Sequence, residues 1–197
     1  MRTSSAVVKI IGEFMFNLFK KKQKNNRAGA NIDTGADMAK EMFDNFAYAT
    51  ENGLIEWEQT QLFTNVFVHF DQPEGKNRFT YFIPSATEES LPIAVAQFIM
   101  NGVDNDGYMV FAASWFVADY ERNLGQGTQV VYRAIKEMVH RFSGAYKGRG
   151  IAFEAIINVN NTASNKLVKK IMNGNDIVTS ENEHGETVSN YLWKVEF

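Results

Sequence analysis

Between Val117 and Gly127 the chain runs Val117-Ala118-Asp119-Tyr120-Glu121-Arg122-Asn123-Leu124-Gly125-Gln126-Gly127, an apolar strand-like stretch breaking into a glycine-bearing turn and then a helical pattern. The chemistry such a junction offers is anion binding. The first turn of a helix carries backbone N–H groups with no intrahelical acceptor and the positive end of the helix dipole, so it holds phosphate oxygens without a side chain. Arg122, Asn123, Leu124, Gly125, Gln126 and Gly127 make up such a turn. A Cβ at Gly125 or Gly127 would obstruct a pyrophosphate or the dihedrals needed to approach it, and Arg122 would add a charge-assisted bond. A glycine pair at a strand-to-helix turn also serves tight packing alone, so the pattern draws its weight from context. No Gly-Lys-Ser/Thr follows, which excludes a Walker loop, and the third glycine and downstream acidic residue of the dinucleotide fingerprint are missing.

The context is a second segment, Asn161-Thr162-Ala163-Ser164-Asn165-Lys166-Leu167-Val168-Lys169-Lys170, one strand further along. Val117 followed by Arg122-x-x-Gly125-x-Gly127 and an amphipathic helix resembles the coenzyme A signature of the GNAT N-acyltransferases. Residues 161–170 are similar to the N-x-x-S-N-x-x-x-x-K segment of that family, above all in its branch that acetylates ribosomal protein N-termini. The likeness covers residues 92–197 well, residues 36–91 in general layout, and residues 1–35 not at all.

The resemblance implies an N-acetyltransferase that moves an acetyl group from acetyl-CoA to an amine by direct attack. The pyrophosphate would sit at residues 122–127, the pantetheine arm would pair with the backbone near Trp115, Phe116 and Val117, and Asn161 and Ser164 would line the other side of the cofactor. Two expected groups are missing. Val168 stands where many relatives place the tyrosine that protonates the leaving thiolate, and Phe111 where many place a glutamate base. Substitute acids or bases are Asp119, Glu121, Glu154 and His69, each of which also reads as a solvated or structurally bonded residue. Positioning an amine against a thioester contributes much of the rate by itself, so these losses leave transfer open. The alternative is a catalytically silent GNAT-fold protein that docks into a larger assembly, since one fold supports unrelated uses.

The absence of cysteine excludes disulfides, thiolate metal sites and cysteine nucleophiles; it fits a reducing compartment, hence an expected cytoplasmic location. With 3 histidines no metal site is expected. The net charge of −3 hides an asymmetry: Arg2, Lys9, Lys20, Lys21, Lys22, Lys24 and Arg27 face a lone Glu13 in residues 1–27, and the rest is acidic. An acidic body argues against nucleic acid as the main partner and favours a basic acceptor, small molecule or protein.

Residues 1–35 read as an apolar and basic arm with a tether, and residues 36–197 as the acyltransferase-like domain. From Ala6 to Phe19 the polar exceptions Lys9, Glu13 and Asn17 form one narrow stripe on a helix too short for the roughly 20 residues of a membrane span. Positive charge after the apolar run also disfavours a secretory signal. Residues 6–19 are expected to pack on their own domain or a neighbouring subunit, in a homo-oligomer or larger assembly; peripheral membrane contact and a partner protein are the alternatives.

In the body, Met38, Met42, Phe46 and Ala49 predict a helix over 36–52. Strands are predicted at 61–70 and 78–83, joined as a hairpin, then at 93–100 and 108–118. Val131, Ile135, Met138 and Phe142 predict a helix from 127 ended by Gly144. A strand at 151–159, a short helix at 162–172 stopped by Gly174, and a terminal hairpin of 177–180 with 191–197 complete the order. This is a mixed α/β (α+β) class: a mostly antiparallel sheet flanked by helices.

Overall fold

The computed structural model of the protein describes residues 34–172 and 177–197. The arm at residues 6–19 and the stop at Gly174 lie outside them. The elements are α1 (Thr34–Glu51), β1 (Glu58–Gln59), β2 (Phe67–Asp71), β3 (Arg78–Pro84), β4 (Pro92–Val103), β5 (Tyr108–Val117), α2 (Gln126–Ser143), β6 (Gly150–Asn158), α3 (Thr162–Ile171), β7 (Ile177–Glu181) and β8 (Thr187–Glu196). Eight strands form one sheet in the order β1-β2-β3-β4-β5-β6-β8-β7. Every neighbouring pair is antiparallel except β5 with β6, which run parallel. A parallel neighbour needs a crossover, and α2 supplies it.

Alternation along the central strands builds two apolar layers. On one face Tyr81, Phe98, Phe111 and Phe153 pack beneath α2, whose buried Val131, Ile135 and Met138 recur at helical spacing. On the other, Phe67, Phe82, Val95 and Phe116 pack beneath Phe43 and Phe46 of α1. Strand β5 is apolar nearly throughout because it is covered on both faces. Among the described residues no helix is long and apolar enough to cross a membrane.

Three expectations are corrected. The strand predicted over 61–70 starts only at Phe67. Its first half is a loop because the carboxylate of Glu137, on α2, accepts the backbone N–H groups of Gln61 and Leu62, each at 2.9 Å. The amides that would have joined a ladder are thus taken by a side chain. Helix α1 starts at Thr34, two residues before the predicted 36, where the Thr34 N–H and hydroxyl both donate to the carboxylate of Glu186 (3.2 and 2.5 Å). The last strand begins at Thr187 and not at 191, since β8 pairs with the whole of β6 from Gly150↔Glu196 to Asn158↔Val188.

Candidate functional site

The parallel ladder between β5 and β6 runs from Tyr108↔Gly150 to Ala112↔Glu154 and stops there. Both strands continue, β5 to Val117 and β6 to Asn158. On its other edge β5 stays paired with β4 as far as Val117, opposite Ala94. Residues 113–117 therefore present an edge unpaired with β6, inside a sheet where buried backbone groups normally find partners. This splay opens beside Trp115, Phe116 and Val117.

At its open end lies the start of α2. Gly125 caps the helix in the left-handed region, at φ 80° and ψ 3°, which explains a glycine there. Asn123 also has a positive φ of 63°, a conformation asparagine tolerates. The first helical bond is donated by Gln129 to the Gly125 carbonyl at 3.1 Å, so the amides of Gln126, Gly127 and Thr128 precede the helical ladder.

Gly127 has a different reason for being glycine. A Cβ on it would lie 3.2 Å from both Val117 Cγ2 and Leu167 Cδ1, so its bareness lets α2 sit against the end of β5 and against α3. This is the tight-packing role, and it puts the first turn of α2 at the mouth of the splay. Arg122 lies with its guanidinium 5.2 Å from the centre of the Phe116 ring and pairs with Asp119 at 2.8 Å. Leu124 is exposed.

Across the splay, Asn161 caps α3, its side-chain oxygen accepting the Ser164 N–H at 3.1 Å. Asn165 holds the same corner, donating to the carbonyls of Asn158 (3.0 Å) and Asn161 (2.8 Å) and accepting from the Tyr191 hydroxyl (2.7 Å). The conspicuous asparagines thus build the turn that places α3.

The four acid-base candidates do not converge. His69 is on β2; with β3 and β4 between, at about 4.8 Å per strand it sits roughly 14 Å from β5. Its Nδ1 contacts the Glu56 carbonyl at 2.7 Å and its Nε2 lies 3.8 Å from Asp71. Burial works against the Asp71 charge, but His69 and Arg78 outweigh it and hold that carboxyl down at about 2. Asp119 and Glu121 lie on the single turn after β5. Glu154 alone stands on the splay, at its last paired rung.

Ser114 was not singled out in the sequence. It is half-buried on the α1 face of the unpaired part of β5, and its hydroxyl has no hydrogen bond among the described residues. The signal was a lone hydroxyl inside the apolar run Met109–Val117. Among the described residues no group of three or more His, Asp or Glu lies close enough to hold a metal ion.

No family model matches the sequence, and no curated protein matches it. Among solved structures the chain is similar to the NatC complex bound to Gag peptide and CoA, at 11% identity over 60% of this chain and 70% of that one, with a TM-score of 0.45. It is similar to the Salmonella typhimurium acetyltransferase that modifies the N-terminal serine of ribosomal protein L7/L12, at 13% identity over 61% and 64%, TM-score 0.39. A third is the spermidine N-acetyltransferase of Vibrio cholerae with CoA and spermine, at 11% identity over 59% and 65%, TM-score 0.43. The solved structures this chain resembles are GNAT acetyltransferases.

In the GNAT motif pattern quoted above, the places of the usual base and acid are Phe111 and Val168. Both are fully buried. Phe111 packs among Phe79, Phe142 and Phe153, with ring centres 5.7 to 6.4 Å apart. Neither position is open to a substrate.

Proposed function

We propose that the protein is an acetyl-CoA-dependent N-acetyltransferase. The observation that carries this is the end of the β5–β6 ladder at Ala112↔Glu154, with the glycine-capped start of α2 at the mouth of the gap. An extended amide-bearing chain fits the unpaired edge of residues 113–117, and a pyrophosphate fits the free first-turn amides of Gln126, Gly127 and Thr128. Acetyl-CoA has both parts and brings an acetyl group activated as a thioester.

In this reading the chain's own residues bind and orient. The backbone of residues 113–117 fixes the donor's amides, and the dipole of α2 offsets the phosphate charge. Gly125 keeps the approach clear, and Arg122 can exchange Asp119 for a phosphate because that pair is exposed and weakly held. An aligned amine then gains from proximity alone.

The burial of Phe111 and Val168 favours a second reading, a donor-binding protein that does not transfer. Titration calorimetry with acetyl-CoA, followed by thiol release in the presence of amines, separates the two. Binding with amine-dependent thiol release is the expected result. Binding without release would establish the second reading, and no binding would refute both.

A further inference from the structure

We propose that Glu154 is the carboxylate that receives the proton of the acceptor amine, and that the amine reaches it through a window on the α1 face of the sheet. This rests on the acetyl-transfer reading above. The window has three sides. One is β5 from Ala112 to Phe116, and the second is β6 from Glu154 to Asn158; the two strands meet at the rung Ala112↔Glu154. The third is α1. Its first residue, Thr34, is tied to Glu186, which also accepts from the Asn158 side chain at 3.4 Å. Its Phe43 packs on Phe116 with ring centres 5.2 Å apart. The helix thus bridges the two arms of the splay, and each strand side of the window spans about 13 Å at roughly 3.3 Å per residue.

Glu154 stands at the apex. Phe153 and Ala155 point into the α2 layer, so by alternation Glu154 points to the α1 face. It is half-buried and, among the described residues, has neither a hydrogen bond nor an ion pair. A carboxylate left unpaired in a partly buried place lacks the partners that structural carboxylates have, as Glu137, Glu186 and Asp71 do here. Its companions on this face are Ala112, Leu192 and, further along, Ser114 and Ile156, the last 67% exposed.

Other charges near the window are occupied or lie on its roof. Lys194, next on this face of β8, is held by Asp104 and Asp106 at 2.9 Å each. Helix α1 contributes Asp37, Lys40 and Glu41 over the bridging span, and Lys40 pairs with Asp44. An incoming ammonium therefore meets one uncommitted carboxylate at the apex of the opening.

The step balances without a further reactant. The nitrogen forms a bond to the acetyl carbon as that carbon's bond to sulfur breaks. Before that attack Glu154 takes one proton from the incoming ammonium, which frees the nitrogen lone pair; the sulfur then leaves with its electron pair and receives, directly or through water, the proton shed by the acylated nitrogen, and Glu154 returns its own proton to solvent. Ser114, across the gap, is placed to hydrogen-bond the amine and orient it.

The test uses the full chain and Glu154→Gln, with spermidine, butylamine and tetrapeptides beginning with serine, alanine or methionine as acceptors. For whichever amine is acetylated, kcat is expected to fall about 100-fold in Glu154→Gln, while the affinity for acetyl-CoA stays within about twofold. Raising the pH is expected to recover part of the rate, because the amine then arrives unprotonated. A readout free of turnover is calorimetric binding of the same amine to the cofactor-free protein, expected to weaken about tenfold through the lost ion pair. Unchanged kcat and amine affinity in Glu154→Gln, with acetyl-CoA binding intact, would overturn the assignment and leave acetyl transfer standing. Loss of acetyl-CoA binding in that variant would overturn it too, by making Glu154 a structural or donor-side residue. A native chain that binds acetyl-CoA yet acetylates none of the amines would overturn both proton transfer and the reading it rests on.

Discussion

Replacing Gln126 and Thr128 together by glutamate is expected to weaken acetyl-CoA binding about a thousandfold while leaving the melting temperature unchanged or slightly raised. The two effects separate because they have opposite signs at one place. Acidic side chains in the first turn of a helix interact favourably with its dipole, and α2 has none there at present. The same charges face a pyrophosphate. At about 5 Å and an effective dielectric of about 20, each new carboxylate–phosphate pair is unfavourable by roughly 3 kcal/mol, and two exceed the ~4.1 kcal/mol of a thousandfold change. Glutamates at Gly125 and Gly127 would be a less clean test. Gly125 would be strained at φ 80°, and any Cβ on Gly127 already crowds Val117 and Leu167. Calorimetry with thermal unfolding of the same samples checks the prediction. Weak binding accompanied by a lowered melting temperature would mean the helix start had been disrupted and not its anion site.

The second large effect concerns stability. Glu137 is fully buried and serves three donors: the amides of Gln61 and Leu62 at 2.9 Å, and Arg141 Nε at 2.6 Å. Burial works against its charge, but Arg141 and the two amides outweigh it and hold the carboxyl below its ordinary value of 4.5. Glu137→Ala would leave the amides of Gln61 and Leu62 and the Nε of Arg141 without their acceptor, while Arg141 keeps Glu58 at 2.8 Å through Nη1; at about 1–3 kcal/mol for each unsatisfied donor the expected loss is about 3–5 kcal/mol. In a domain of this size that lowers the melting temperature by about 10 °C. Glu137→Gln retains an acceptor and is expected to lose less.

The sign of the pH dependence follows from the depressed pKa. The carboxylate stabilises the fold above pH 4.5, and its contribution fades as the pH falls through the folded value. Urea unfolding at pH 7 and near pH 3 is therefore expected to show a large gap between Glu137 and its alanine variant at the first pH and a smaller one at the second. Equal gaps at both would contradict the charge-based account.

What could be read in the sequence was what neighbouring residues decide. The long apolar β5, the glycine turn and the periodicity of α2 are local patterns, and all are present in the structure. So is the mixed sheet flanked by helices. The features missed depend on distant partners. The stretch 61–70 is rich in β-branched and aromatic residues, yet Glu137, 76 positions from Gln61, takes the amides of Gln61 and Leu62. Thr34 is already helical, and Glu186, 152 positions away, accepts its hydroxyl.

The candidate site divides the same way. Gly125 was legible because a left-handed cap demands glycine, whereas the packing role of Gly127 depends on Leu167 in another helix. Composition gave no ranking among His69, Asp119, Glu121 and Glu154. Their order emerges only from where the β5–β6 ladder ends, a property of two strands jointly.

The central claim is that the donor lies in that gap, and residue-resolved amide hydrogen exchange with and without acetyl-CoA tests it most directly. Amides along residues 113–117 and at Gln126, Gly127 and Thr128 are predicted to slow together when acetyl-CoA is added, while those of β2 and β7 do not change. Protection elsewhere, or none anywhere at saturating acetyl-CoA, would contradict the account.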